Sequence, residues 1–278
     1  MKSLGRSRLR PGILLLELLM ILFCAAYLLP LGIMVLGSFK TSAEAAAFTF
    51  NPPQVWQWSN YSTVIEKSQL VRAFLNSVFI TGSSVFLCVS SASFCAFTLA
   101  RRPNRLTGFL YWLCLLGMVA PLQIVTTFAL LKGLGLIGNY YGVILVGTAV
   151  QIPWSVFFFT SFLKTVPRDI DEAAAIDGAT PWVMFTRIIL PMLQTVVVTN
   201  VVIISISVWN DFMTPLYFLS SRDFWTMTLT VYGFFGQYFS DWNLVFANLI
   251  LTSLPVAVLF LVFQRLVVSG ATEGSVKG

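Results

Sequence analysis

The stretch Glu172-Ala173-Ala174-Ala175-Ile176-Asp177-Gly178-Ala179, inside the run from Val166 to Pro191, decides how this chain is read. It is a long polar segment deep in a sequence that otherwise reads as membrane. Pro167 is expected to end the apolar helix before it, because proline breaks a helix interior but is tolerated in a first turn. Asp169, Asp171 and Glu172 cluster where a new helix would begin, and negative charge is favoured there. Ile170, Ala173 and Ala174 fall at i, i+3 and i+4, which predicts one shared face that another surface could approach closely. Gly178 suits the left-handed residue that closes such a helix. Thr180 can cap the next helix and Pro181 fits its first position. Trp182, Phe185 and Ile189 then give that helix an apolar face. Two readings are open at this level: a plain interfacial connector, or a polar knob by which a membrane protein touches a soluble partner.

Composition sets the context. Of 278 residues, 57% are hydrophobic and 10% are charged, where soluble domains carry about 25% charged residues. Several apolar runs exceed the roughly 20 residues needed to cross a bilayer, and helices satisfy their own backbone hydrogen bonds in lipid. The expected fold is all-α, a polytopic membrane protein forming a single transmembrane domain over 1–278. Six spans are predicted, at 13–37, 74–100, 107–131, 141–163, 192–212 and 244–268, with the hairpin at 166–191 joining the fourth to the fifth. The first run extends well past a signal-peptide core of 7–15 residues and is read as a retained span.

Lys and Arg placement gives the orientation. With the N-terminus inside, 12 of the 17 basic residues fall on inner segments, from Lys2, Arg6, Arg8 and Arg10 through Arg101, Arg102, Arg105, Lys164, Arg168 and Arg187 to Arg265 and Lys277. Lys40, Lys67, Arg72, Lys132 and Arg222 fall outside. Both termini and the hairpin are therefore expected in the cytoplasm. The outer loops 38–73 and 213–243 are aromatic (Trp56, Trp58, Tyr61; Trp225, Tyr232, Tyr238, Trp242), as an interfacial belt or as a docking surface for an external protein.

Several chemistries are excluded. The chain has no histidine, hence no imidazole relay or imidazole metal site. Its four cysteines, Cys24, Cys88, Cys95 and Cys114, lie in apolar runs without a Cys-x-x-Cys pair. Gly133-Leu134-Gly135-Leu136-Ile137-Gly138 matches a dinucleotide fingerprint only in letters: it follows a membrane helix rather than a strand, and Phe158 stands where an acid would be needed. No phosphate-binding G-x-x-x-x-G-K-[ST] loop is present, so the chain is not expected to hydrolyse ATP.

The pattern Glu-Ala-Ala-x-x-x-Asp-Gly-Ala, followed by Phe185, Ile188, Leu190 and Pro191, resembles the EAA loop of binding-protein-dependent permeases, the membrane subunits of ATP-binding-cassette importers. The resemblance covers nearly the whole chain. Ser38-Phe39-Lys40, Leu99-Ala100-Arg101 and Trp209-Asn210-Asp211 are similar to the carbohydrate-uptake branch. The tail, Gln264-Arg265, Val268-Ser269-Gly270 and Gly274-Ser275-Val276-Lys277-Gly278, looks like the six-span maltose-type permease. One departure is Gln194-Thr195-Val196, where the family often places a second proline.

The resemblance implies a permease that does no chemistry itself and lies in a bacterial or archaeal plasma membrane. Its partners would be a second homologous permease, a dimer of ATPase subunits and an external solute-binding protein. ATP and Mg would bind those ATPase subunits, with no cofactor on this chain. The substrate would be a sugar, oligosaccharide or polyol, with membrane lipid around the spans and no nucleic acid involved. Glu172 and Asp177 would anchor the loop in an ATPase groove, Ala173, Ala174 and Ala179 would allow close packing, and Gly178 would make the turn.

Polar residues in spans are candidates for a substrate pathway: Gln123, Thr126, Thr127, Gln151, Trp154, Asn200, Ser205, Ser207 and Asn210. Sugars call for amides and hydroxyls with aromatic faces nearby, but the same residues also hold membrane helices together. Asn210 and Asp211 read first as a helix cap or an interhelical polar contact, with a substrate gate as the alternative, and Glu17, near Arg10, as a residue snorkelling or pairing at the inner interface. A stand-alone secondary transporter or channel-like protein is the rival reading. It sits poorly with the lack of a visible inverted repeat and with spans two, three, four and six carrying no carboxylate.

Overall fold

The computed structural model describes residues 11–235 and 241–273. Expectations placed on Lys2, Arg6, Arg8, Arg10, Tyr238 and Gly274 to Gly278 fall outside the described residues; for Arg265, Val268, Ser269 and Gly270 only a helical backbone is described. Helices account for the regular structure of the described residues. The long ones are α1 (Pro11–Gly37), α4 (Leu70–Arg101), α7 (Tyr140–Leu163) and α14 (Trp242–Glu273), with α2 (Ser42–Ala45) and α3 (Ser59–Lys67) in the first loop. The rest of the chain gives α5 (Arg105–Val119), α6 (Ile124–Gly133), α8 (Asp169–Ile176), α9 (Pro181–Val183), α10 (Leu190–Met192), α11 (Gln194–Trp209), α12 (Met213–Phe218) and α13 (Met227–Thr230). Among the described residues, four helices are long and apolar enough to cross a membrane, or up to six if each of two bent pairs counts as one span.

One bend falls inside a stretch that the sequence drew as a single span, the other where the hairpin meets the start of the fifth. The stretch 107–131 divides into α5 and α6, turned by 117°. Pro121 is the cause: the residue before a proline is pushed out of helical geometry, and Ala120 is extended at φ −72° and ψ 120°. Asn104 and Thr107 cap α5 reciprocally. In the fifth stretch, α11 ends at Trp209 and meets the preceding arm 181–192 at 78°.

The chain, read from sequence as one domain, divides by its contacts into two compact units. One is Met1–Lys67 with Val231–Leu251; the other is Ser68–Thr230 with Thr252–Gly278. In the first, α1 is apolar around its circumference except at Glu17, with Leu15, Leu18, Phe23 and Tyr27 all exposed. Its C-terminal end is tightly knotted. Lys40 is 2% exposed, and its Nζ donates to the Thr49 carbonyl at 2.7 Å. The Asn60 amide donates to the carbonyls of Ser38 (2.8 Å) and Lys40 (2.9 Å) and accepts from Asn243 at 2.9 Å. Phe39 is ringed by Trp56, Trp58 and Tyr61 at centroid distances of 5.2, 4.7 and 5.3 Å. Thr41 and Glu44 form a capping box on α2, and the Thr41 amide is the main reason the Glu44 carboxyl is held below the usual carboxylate range.

The second unit is built on α4 against α7. Cys88, Ala92 and Ala96 recur every four residues on one fully buried stripe, and small side chains let membrane helices approach closely. Val156, Phe159 and Leu163 of α7 fill that approach, joined by Val166, Phe185, Ile189, Leu193 and Val196. This core carries the hairpin.

Candidate functional site

The hairpin follows from local chemistry. Asp169, Asp171 and Glu172 occupy the first turn of α8, where each carboxylate near the exposed amides contributes about 0.3–1 kcal/mol. The helix stops because Gly178 takes φ +79°. The Ala179 amide then reaches the Ala174 carbonyl at 3.0 Å and the Gly178 amide the Ala175 carbonyl at 3.1 Å, the paired bonds of a Schellman turn. Thr180 caps the returning arm through the Val183 amide, with Pro181 in its first position. The arm passes through a π-helical segment, Met184–Ile189, before α10.

Packing sorts the residues of the hairpin by face. Phe185 and Ile189 are buried in the α4–α7 core, and Ile170 packs against it. Ala174, at 6% exposure, also turns inward, whereas Ala173 is exposed, so only one of the expected alanine pair is presented outward. Glu172, Ala173, Ala175, Ile176 and Asp177 form the outward face, and Gly178 lies exposed at the turn. Ile176 is 86% exposed. An isoleucine so bare, flanked by Glu172 and Asp177, was not singled out by sequence reasoning; its i+3 spacing from Ala173 was the available signal. Trp182, on the apolar face of the arm with Phe185 and Ile189, is 64% exposed and lies against Phe94 and Phe185.

The hairpin is fastened to the helices behind it. Arg101, the last residue of α4, places Nε 2.6 Å from Asp171 Oδ2. Its Nη1 donates to the carbonyls of Val166 (3.1 Å) and Leu163 (3.4 Å) at the end of α7. Sequence reasoning noted both residues, Arg101 in a resemblance and Asp171 at a helix start, but no spacing rule joins residues so far apart.

The candidate pathway residues separate. Gln151, Ser207, Asn210 and Asp211 line one cleft of about 610 Å³, together with Gly147 and Thr214. Gln151 Nε2 donates to Ser207 Oγ across it. Asp211 Oδ1 accepts the Thr214 amide in the first turn of α12 at 3.1 Å, and the residue borders the cleft. Asn200 lies elsewhere, at 0% exposure. Its Oδ1 accepts from Ser155 Oγ at 3.4 Å, and Ser155 contacts Cys88 Sγ at 3.3 Å, a polar thread through α4, α7 and α11. Gln123 is exposed just before α6, and Trp154, stacked at 11° on Phe158, is not among the residues around the cleft. The glycines of the false fingerprint serve a turn: Gly135 and Gly138 take φ +69° and +82°.

With this geometry in hand, the comparisons are specific. The family model described as "Binding-protein-dependent transport system inner membrane component" matches residues 89–272. The diacetylchitobiose uptake system permease protein NgcG of Streptomyces coelicolor is 30% identical over 261 residues, covering 92% of this chain and 86% of that protein. The melibiose/raffinose/stachyose import permease protein MelC of Bacillus subtilis is 30% identical over 267 residues, covering 95% and 96%. Among solved structures, a chain from a bacterial ABC transporter involved in the import of the acidic polysaccharide alginate superposes with a TM-score of 0.80 at 19% identity, covering 95% of this chain and 99% of that one.

Proposed function

Because this chain belongs to the family of binding-protein-dependent transport system inner membrane components, we propose that its hairpin 166–191 is the coupling element of a sugar importer, gripped by an ATPase on the cytoplasmic side. The chain is the permease subunit of an ATP-driven importer and carries no enzymatic activity of its own. We take six spans with both termini inside; Arg102, Arg105, Lys164, Arg168 and Arg187, near the hairpin in sequence, support its facing the cytoplasm. A second homologous permease, an ATPase dimer holding ATP and Mg, and an external solute-binding protein complete the assembly. Named relatives handle small oligosaccharides, which favours the same substrate class here.

The observation that carries this reading is the outward face of α8. Glu172, Ala173, Ile176 and Asp177 stand exposed, while the opposite face is anchored in the core through Ile170 and Ala174. Glu172 and Asp177 provide polar anchoring, Ala173 close approach, Ile176 an apolar plug, and Gly178 with Ala179 the turn. An ATPase can shift the spans between inward- and outward-facing states only by its differential affinity for the two, so the hairpin must be both accessible and firmly held. The cleft at Gln151, Ser207 and Asn210 supplies amide and hydroxyl groups suited to a sugar, on a pathway completed by the second permease.

Charge reversal tests it. Glu172→Lys is expected to reduce co-purification of the ATPase subunits while leaving membrane insertion unchanged. Equal loss of both, or full ATPase retention with normal uptake, contradicts the docking role.

A further inference from the structure

We infer that Arg101 is a positioning residue that makes the coupling hairpin and the adjoining ends of α4 and α7 one rigid joint. Three elements meet on its guanidinium. It closes α4. Through Nη1 it donates to the carbonyls of Leu163, the last residue of α7, and of Val166 in the turn that follows. Through Nε it holds Asp171 in the first turn of α8 at 2.6 Å. Arg168 returns the tie from the start of the hairpin, with Nη2 3.5 Å from the Ala100 carbonyl.

Burial makes the joint stiff. The Arg101 and Asp171 side chains are 10% and 15% exposed. Arg101 Nε and Nη2 and Asp171 Oδ1 are buried without a hydrogen-bond partner, so Nε and Asp171 are joined by charge at close range rather than by an aligned hydrogen bond. Breaking such a pair strands an uncompensated charge away from water, which is strongly unfavourable even where the intact pair adds little net stability. A push on α8 is therefore passed to α4 and α7 rather than dissipated in residues 164–168. The planar fork is what allows one side chain to serve carbonyls and a carboxylate together; a lysine ammonium is a single point of charge.

The inference rests on the hairpin being the part an ATPase moves, so the test separates the two. Complexes of permeases, ATPase and binding protein are reconstituted with Asp171→Asn, Arg101→Lys and the volume-matched neutral pair Arg101→Met with Asp171→Leu. ATPase co-purification is scored first, then uptake per ATP hydrolysed. Retained ATPase with uptake per ATP lowered about tenfold is expected for Asp171→Asn and for the neutral pair, with Arg101→Lys intermediate. Assembled variants with wild-type uptake per ATP overturn the role of Arg101, whereas normal ATPase binding by Glu172→Lys would count against the docking reading instead. A measurement on the unbroken joint supplements the variants: spin labels at Arg102 and Ala175 are expected to keep their separation between nucleotide-free and ATP-bound complexes. A change in that separation overturns rigidity.

Discussion

Replacing Gly178 with valine isolates the turn from everything around it. The residue sits at φ +79°, and a Cβ built there meets no atom within 4 Å. The expected cost is thus conformational rather than steric. A left-handed backbone costs an ordinary L-residue roughly 1–2 kcal/mol, and a β-branched side chain belongs at the upper end. About 2 kcal/mol corresponds to roughly a 30-fold shift against the Schellman turn. Gly178→Asn, which tolerates this conformation better, should cost well under half as much. The assay is sugar uptake per ATP in reconstituted complexes matched for assembly. Valine is expected to lower coupling or assembly sharply and asparagine mildly, with alanine between them. Equal behaviour of valine and asparagine, or normal transport by valine, would refute the argument that the turn's backbone geometry aims α8.

Other substitutions probe separate parts of the structure. Ile176→Asp should weaken ATPase co-purification without affecting the fold, because the side chain is 86% exposed; loss of thermal stability in the isolated permease would contradict this. Gln151→Leu and Asn210→Ala should raise the KM for uptake severalfold while leaving ATPase binding intact, whereas Asn200→Leu, in the buried interior, should act on stability first. Asn60→Leu removes an amide serving two carbonyls, and each group left buried and unpaired costs about 1–3 kcal/mol; thermal unfolding of the variant in detergent checks it, and an unchanged midpoint would be contrary.

The hairpin was legible in sequence because its signals are local. Gly178 for a left-handed turn, Thr180 for a cap and Pro181 for a first position each act over one or two residues, and each is found in place. What was illegible depended on which helix lies behind which. Whether Ala173 or Ala174 faces outward is settled by the packing of Ile170 and Ala174 toward α4 and α7, not by their spacing. The Arg101–Asp171 pair joins residues on different helices, and Asn200 looks the same in sequence whether it lines a pathway or, as found, is enclosed. The break at Ala120 was signalled by Pro121, but an apolar run on both sides masked it. Among the pathway candidates, Gln151 and Asn210 share one cleft because α7 and α11 meet there, with Gln151 bonded to Ser207, a pairing no sequence spacing announces.

The most direct measurement is the sidedness of the hairpin tip. A single cysteine at Ile176, in a chain whose native cysteines are replaced, is exposed to a membrane-impermeant maleimide in vesicles of both orientations, with and without the ATPase subunits. Labelling only from the cytoplasmic side, with protection when the ATPase is bound, is the expected result. Labelling from the outer side, or full cytoplasmic labelling in the assembled complex, would contradict the account.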